Sequence, residues 1–153
     1  MSYTIRYATL ADVPQVGQLF DGYRQFYEQP GDLALAIAYI RARLANGEST
    51  ILVAETDDGQ LAGFCQLYAT FCSVAAAPIL VLYDLFVAPA QRRQGVGRDL
   101  LLAANEHAKT VGVVRMELAT AVDNYQAQAL YESLGWQRDN DFYHYSLPIG
   151  QKQ

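Results

Sequence analysis

The stretch RRQGVG, residues 92–97, sets two arginines ahead of two glycines at the entrance of a helical pattern. Each glycine weakens a helix interior by roughly 1 kcal/mol relative to alanine, so a backbone reason must place them there. Unpaired N–H groups at a helix N-terminus form a cup for anions, and glycine lets a diphosphate approach the main chain. Spacing separates the phosphate-binding templates. A Walker loop needs Lys and Ser/Thr directly after its last glycine, where Arg98 and Asp99 stand. A dinucleotide fingerprint needs Gly or Ala three places after the second glycine, where Leu100 stands. An Arg/Gln-x-x-Gly-x-Gly/Ala pattern is met by Arg92, Gly95 and Gly97, with Arg93 and Arg98 adding charge. Asn124 and Tyr131 are seven residues apart on a helical pattern, so both can address one ligand lying along that face.

The elements around these residues can be read from periodicity. Tyr3–Tyr7 alternates as a strand, and from Asp12 onward Val13, Val16, Leu19, Phe20, Tyr23 and Phe26 recur at helical spacing behind Pro14. Leu33, Ile37, Ile40 and Leu44 mark a second helix that stops at Asn46 and Gly47. TILVAE and QLAGFCQLYA are strands joined at the Asp58-Gly59 turn, and 79–87 is a near-continuous apolar run suited to a central strand. A helix over 96–110 and a strand over 114–120 complete a right-handed parallel crossover. A helix over 124–134 follows, then GWQRDNDFYHYSLP as two short strands about an Asp/Asn turn. TFCSVAAAPI can be a loop, a strand extension or a dimer-contact surface.

DLFVAPAQRRQGVGRDLL followed by TAVDNYQAQALYESLGW resembles the GNAT superfamily of acyl-CoA-dependent N-acyltransferases, and the element order is similar along essentially the whole chain. The resemblance implies one GNAT domain over 1–153. Its fold would be α+β, a mixed and mostly antiparallel sheet of about six or seven strands, splayed at a central parallel pair and flanked by about four helices. It also implies that the pantetheine arm of acetyl-CoA lies along Leu85, Phe86 and Val87, and that Arg92, Arg93, Gln94, Gly95, Val96, Gly97 and Arg98 hold the diphosphate. Asn124 matches a residue that positions pantetheine, Tyr131 the tyrosine beside the coenzyme sulfur, and Asp84 an acidic position in many members.

The implied reaction moves an acetyl group from acetyl-CoA to a primary amine of a small molecule or peptide, by direct attack in a ternary complex. A lysine-like amine has a pKa near ~10.4, so its free base at neutral pH costs roughly 4.6 kcal/mol. A base is expected: Asp84 first, Glu117 second. A backbone N–H around Phe86 or Val87 would meet the oxyanion, and Tyr131 would protonate the thiolate. Tyr83 stands where some polyamine-acetylating members carry glutamate, which counts against that substrate class. A non-catalytic acyl-CoA sensor is the rival reading. Asp84 and Glu117 can also be structural, and His107 and His144 read as a solvated and a packing residue.

The totals bound the rest. A chain of 153 residues, 52% apolar and 18% charged, fits one globular domain. A net charge of −5 argues against nucleic acid as a partner. The N-terminus lacks a signal-peptide pattern and no apolar run reaches membrane-spanning length, so a cytoplasmic protein without a membrane partner is expected. Cys65 and Cys72 have no metal-ligand spacing, so no metal is expected. A homodimer is left open.

Overall fold

The computed structural model describes residues 2–150. The chain divides into two compact units, Met1–Ala119 and Thr120–Gln153. The first contains β1 (Tyr3–Tyr7), α1 (Val13–Phe26), α2 (Leu33–Ala45), β2 (Thr50–Thr56), β3 (Leu61–Cys72), β4 (Ala77–Val87), α3 (Val96–Val111) and β5 (Met116–Glu117). The second contains α4 (Tyr125–Ser133).

Local chemistry explains where the elements begin. Pro14 occupies the first turn of α1, where its missing N–H costs nothing. The Asp32 side chain accepts from Leu35 N at 3.1 Å and caps α2. Gly112 ends α3 in the left-handed conformation. On one face of the sheet, Val13, Val16, Leu19 and Phe20 of α1 and Ala36 and Ile40 of α2 pack with Ile51, Val53 and Phe64. Strand alternation sends Leu52 and Ala54 to the opposite face, where α3 buries Val96, Leu100, Leu101, Ala104 and Ala108. The sheet is therefore covered on both sides.

Among the described residues the sheet has five strands in the order β1-β2-β3-β4-β5, antiparallel except for the parallel β4–β5 pair at its end. This corrects the expectation of six or seven strands around a central parallel pair. GWQRDNDFYHYSLP forms no strand here. Phe142, Tyr143 and Tyr145 are 75%, 92% and 93% exposed, and Asp139 Oδ1 takes the Asp141 amide at 2.8 Å in a local turn. β-forming side chains make a strand only when a neighbouring edge completes their main-chain bonds. TFCSVAAAPI resolves into the end of β3, a turn at 73–76 and the start of β4.

β5 is also shorter than expected, two residues where 114–120 was the forecast, pairing Met116 with Leu80 and Glu117 with Val81. A cause lies in β4. Its pairing with β3 steps from Leu67–Leu82 to Gln66–Asp84, which makes Tyr83 the extra residue of a β-bulge. A bulge bends its strand and increases its twist, and the parallel pairing stops at Val81, just before it.

Candidate active site

Past the bulge, β4 continues for four residues and, among the described residues, pairs with β3 on one side only. The ladder fixes which main-chain groups face the open side. Leu80 N donates to Arg115 O at 3.2 Å toward β5, whereas Ala88 N donates to Ala62 O at 2.8 Å toward β3. Alternation across the bulge therefore turns the amides of Asp84 and Phe86 toward β3 and those of Leu85 and Val87 outward. Of the two amides the sequence offered for an oxyanion, Phe86 is committed to the ladder and Val87 faces out.

Two contacts hold this segment in place. Arg92 Nε donates to Val87 O at 3.0 Å, and its guanidinium lies 5.4 Å from the Phe86 ring centroid. Gly63 lets β3 approach closely, since a Cβ there would come within 2.8 Å of Phe86 O. Along α1, a groove of about 530 Å³ adjoins the segment, lined by Gln15, Gln18, Gly22, Phe26, Phe86 and Arg92 among others. That volume is in the range of small-molecule sites, and the lining mixes glutamine amides and phenylalanine rings with aliphatic side chains.

The turn into α3 carries the glycine stretch. Arg93 has φ 66° and Gly95 φ 85°, so the chain enters the left-handed region twice in three residues. For arginine this costs about 1–2 kcal/mol, and for glycine little. Gly95 is the N-cap of α3 and has no side chain to satisfy the first helical amides. Among the described residues, none of the amides from Arg93 to Arg98 donates to a protein acceptor. Tyr3 braces the turn from β1, donating to Asp99 Oδ2 at 2.5 Å with Gln94 O at 3.3 Å. Burial and the Asp99 carboxylate push its phenol up to about 12. The side chains of Arg92, Arg93, Gln94 and Arg98 are exposed.

Asp84 is 4% exposed and lies on the α1 face of β4, opposite Gln66. Gln66 Nε2 donates to its Oδ2 at 2.7 Å, while Ser49 Oγ donates to Gln66 Oε1 at 2.7 Å, which fixes the amide's orientation. Burial raises the pKa of Asp84, opposed by hydrogen bonds from Gln66 and Tyr23. Among the described residues no cation offsets the burial, so the carboxylate has a heightened appetite for a proton. Glu117 is different: about half exposed, it pairs with Arg115 at 2.7 Å. Sequence reasoning missed Gln66 and Tyr23. A glutamine inside GFCQLYA was the available signal for the first, whereas Tyr23 was absorbed into the apolar pattern of α1.

The second unit presents its candidates on α4. Asn124 is the N-cap, its Oδ1 accepting from Ala127 N at 3.2 Å, which leaves its Nδ2 hydrogens for another acceptor. Gln128 Nε2 closes the preceding turn on the carbonyls of Ala121 and Val122, each at 3.1 Å. Tyr131 is half-buried, its ring 6.2 Å from that of Trp136.

Comparison with known proteins gives a consistent result. Residues 14–136 match the acetyltransferase (GNAT) family. The chain is 44% identical over 148 residues, 97% of its length and 99% of the relative's, to an uncharacterized N-acetyltransferase, YhfO, of Bacillus subtilis (strain 168). It is 30% identical over 142 residues, 90% of its length and 81% of the relative's, to an L-methionine sulfoximine/L-methionine sulfone acetyltransferase of Pseudomonas paraeruginosa (strain DSM 24068 / PA7). A solved structure of a "probable acetyltransferase" superposes with a TM-score of 0.90 at 38% identity, covering 97% of this chain and 99% of that one.

Proposed function

Because the chain belongs to the acetyltransferase (GNAT) family, we propose that it transfers an acetyl group from acetyl-CoA to a primary amine of a small molecule or peptide, by direct attack in a ternary complex. The observation that carries this reading is the pairing of two sets of open amides in the first unit, those of Leu85 and Val87 on β4 and those of Arg93 to Arg98 at the entrance and first turn of α3. The first set suits an extended amide-bearing arm and the thioester carbonyl at its end, which together add to the strand edge. The second suits a diphosphate, with Arg93 and Arg98 supplying charge and Gly95 and Gly97 supplying room. Asn124 is assigned to the pantetheine arm.

Acetyl-CoA supplies an activated acyl group. Asp84 takes the proton released by the acceptor amine, directly or through water. The amine nitrogen bonds to the thioester carbon, the Val87 N–H stabilises the oxygen that becomes negative, and the C–S bond breaks. Tyr131 gives its proton to the departing sulfur. Glu117 has no step in this scheme, since its carboxylate is committed to Arg115 at the surface.

The test is CoA release with acetyl-CoA and a panel of amines, including amino acids, aminoglycosides and N-terminal peptides. Acceptor-dependent release with mass-detected N-acetyl product is the expected result. Tight acetyl-CoA binding without acceptor-dependent release would instead favour a sensor, and absence of binding would remove both readings.

A further inference from the structure

The Tyr23 hydroxyl has two acceptors on adjacent residues of β4. It donates to the Tyr83 carbonyl at 3.0 Å, and the Asp84 carboxylate of the next residue lies within its reach. A phenol has one hydrogen, so it serves one acceptor well at a time. Both acceptors need it. Tyr83 is the extra residue of the bulge, so its carbonyl has no regular place in the ladder. Asp84 is buried, and its other donor is Gln66.

The ring leaves the hydroxyl no freedom except rotation about its own C–O bond. Tyr23 packs against Phe20, Tyr27, Phe64 and Phe86, with centroids 6.2, 5.1, 6.3 and 6.3 Å away. We propose that Tyr23 is a positioning residue that couples the shape of the coenzyme strand to the charge on Asp84. With Asp84 neutral, the hydroxyl pins the bulge through the Tyr83 carbonyl. With Asp84 ionised, the charge-assisted bond is the stronger one and the hydroxyl turns to the carboxylate. Strand and base then respond to each other through one hydrogen. This inference rests on the acetyltransferase reading and on Asp84 as its base.

The groups that surround Asp84 leave this role to Tyr23. From β3 come Gln66, locked as a donor by Ser49, and the buried thiol of Cys65, which burial pushes up to about 12 and keeps neutral. Tyr68, also on β3, is held protonated by burial and by its hydrogen bond with Tyr39 at 2.6 Å. The guanidinium of Arg43 lies beyond that pair, 4.5 Å from the Tyr39 centroid and bonded to Glu48 at 2.8 Å. From α1, Tyr23 is the polar group that reaches the carboxylate.

Removing the hydroxyl takes away a donor to the ionised form of Asp84, so its proton is held to higher pH. The experiment compares wild type, Tyr23→Phe and a protein with 3-fluorotyrosine at position 23, using pH profiles of kcat/KM and the KM for acetyl-CoA. In Tyr23→Phe the acid limb should move to higher pH, and the acetyl-CoA KM should rise several-fold on the acid side of that limb, where the hydroxyl serves the strand. The fluorinated side chain keeps the shape and is the stronger donor, so it should move the limb to lower pH, even if Tyr23→Phe folds poorly. An acid limb unmoved by both changes would make Tyr23 a packing residue only and overturn the proposal. Asp84→Asn run in parallel separates the two failures: if that variant keeps full turnover and the same acid limb, the assignment of Asp84 is at fault rather than that of Tyr23.

Discussion

Asp12 and Asp84 are both buried in the first unit, 7% and 4% exposed, yet their surroundings push them in opposite directions. Asp12 meets the Arg6 guanidinium through two bonds of 2.8 and 2.9 Å and accepts the Thr9 amide at 2.7 Å. Those bonds, Arg6 foremost, lower its pKa despite burial. Asp84 has a neutral amide and a phenol for company, and burial prevails. A charge placed beside a cation holds a fold together; a charge buried without one is costly, and such positions are frequent at catalytic sites. The difference teaches which of the two carboxylates is available to take a proton from a substrate.

The signs of the pH effects follow from this contrast. Asp12, with its folded pKa lowered, contributes stability that is present above the ordinary carboxylate range and is lost as pH falls through the lowered value. Asp84, with its folded pKa raised, does the opposite: its contribution is full below the ordinary range and is lost as pH rises through the raised value. Above the raised value the fold therefore carries the cost of an ionised Asp84.

The contrast can be broken most severely at Asp84. Asp84→Asn should lower turnover by about 10²–10⁴-fold while leaving the thermal midpoint at pH 7 unchanged or higher, as steady-state kinetics and calorimetry would show. A loss of both would place Asp84 with Asp12 as a structural group. Tyr131→Phe should reduce kcat on the order of tenfold, less than the usual contribution of a general acid because a thiolate leaves readily, with acetyl-CoA affinity intact by titration calorimetry. Asp12→Asn should cost about 2 kcal/mol, below the full penalty for breaking a buried pair because Arg6 keeps Glu55 and is partly solvated. Its turnover per folded molecule should stay at the wild-type value, and the loss should vanish in melts run below the lowered pKa of Asp12. Glu117→Gln should change turnover by less than about twofold in steady-state kinetics, since its carboxylate sits in an exposed ion pair with Arg115 and takes no step in the scheme.

What was legible in the sequence follows the range of the interactions that decide it. Local patterns carried the first four strands, all four helices and the turn at Asp58-Gly59 to within a few residues, because periodicity, caps and turn chemistry act between neighbours. The glycine stretch was legible for the same reason, and the open amides there match the requirement that drew attention to it. The bulge at Tyr83 was not, since neither glycine nor proline marks it and it exists only in the register of β3 against β4. The outward turn of Val87 rather than Phe86 depends on that bulge. So does the shortness of β5, whose sequence alternates well beyond the two residues that find partners. Gln66 and Tyr23 approach Asp84 from 18 and 61 residues away in the chain, and no spacing rule reaches that far.

Hydrogen exchange of the main chain, read by mass spectrometry with and without acetyl-CoA, tests the central claim most directly. Added acetyl-CoA should slow exchange at Leu85 and Val87 and across Arg93 to Arg98, while Phe86, already bonded to β3, stays as protected as before. Binding that leaves both segments exchanging at their unliganded rates would contradict the account, because the ligand would then be seated on other atoms.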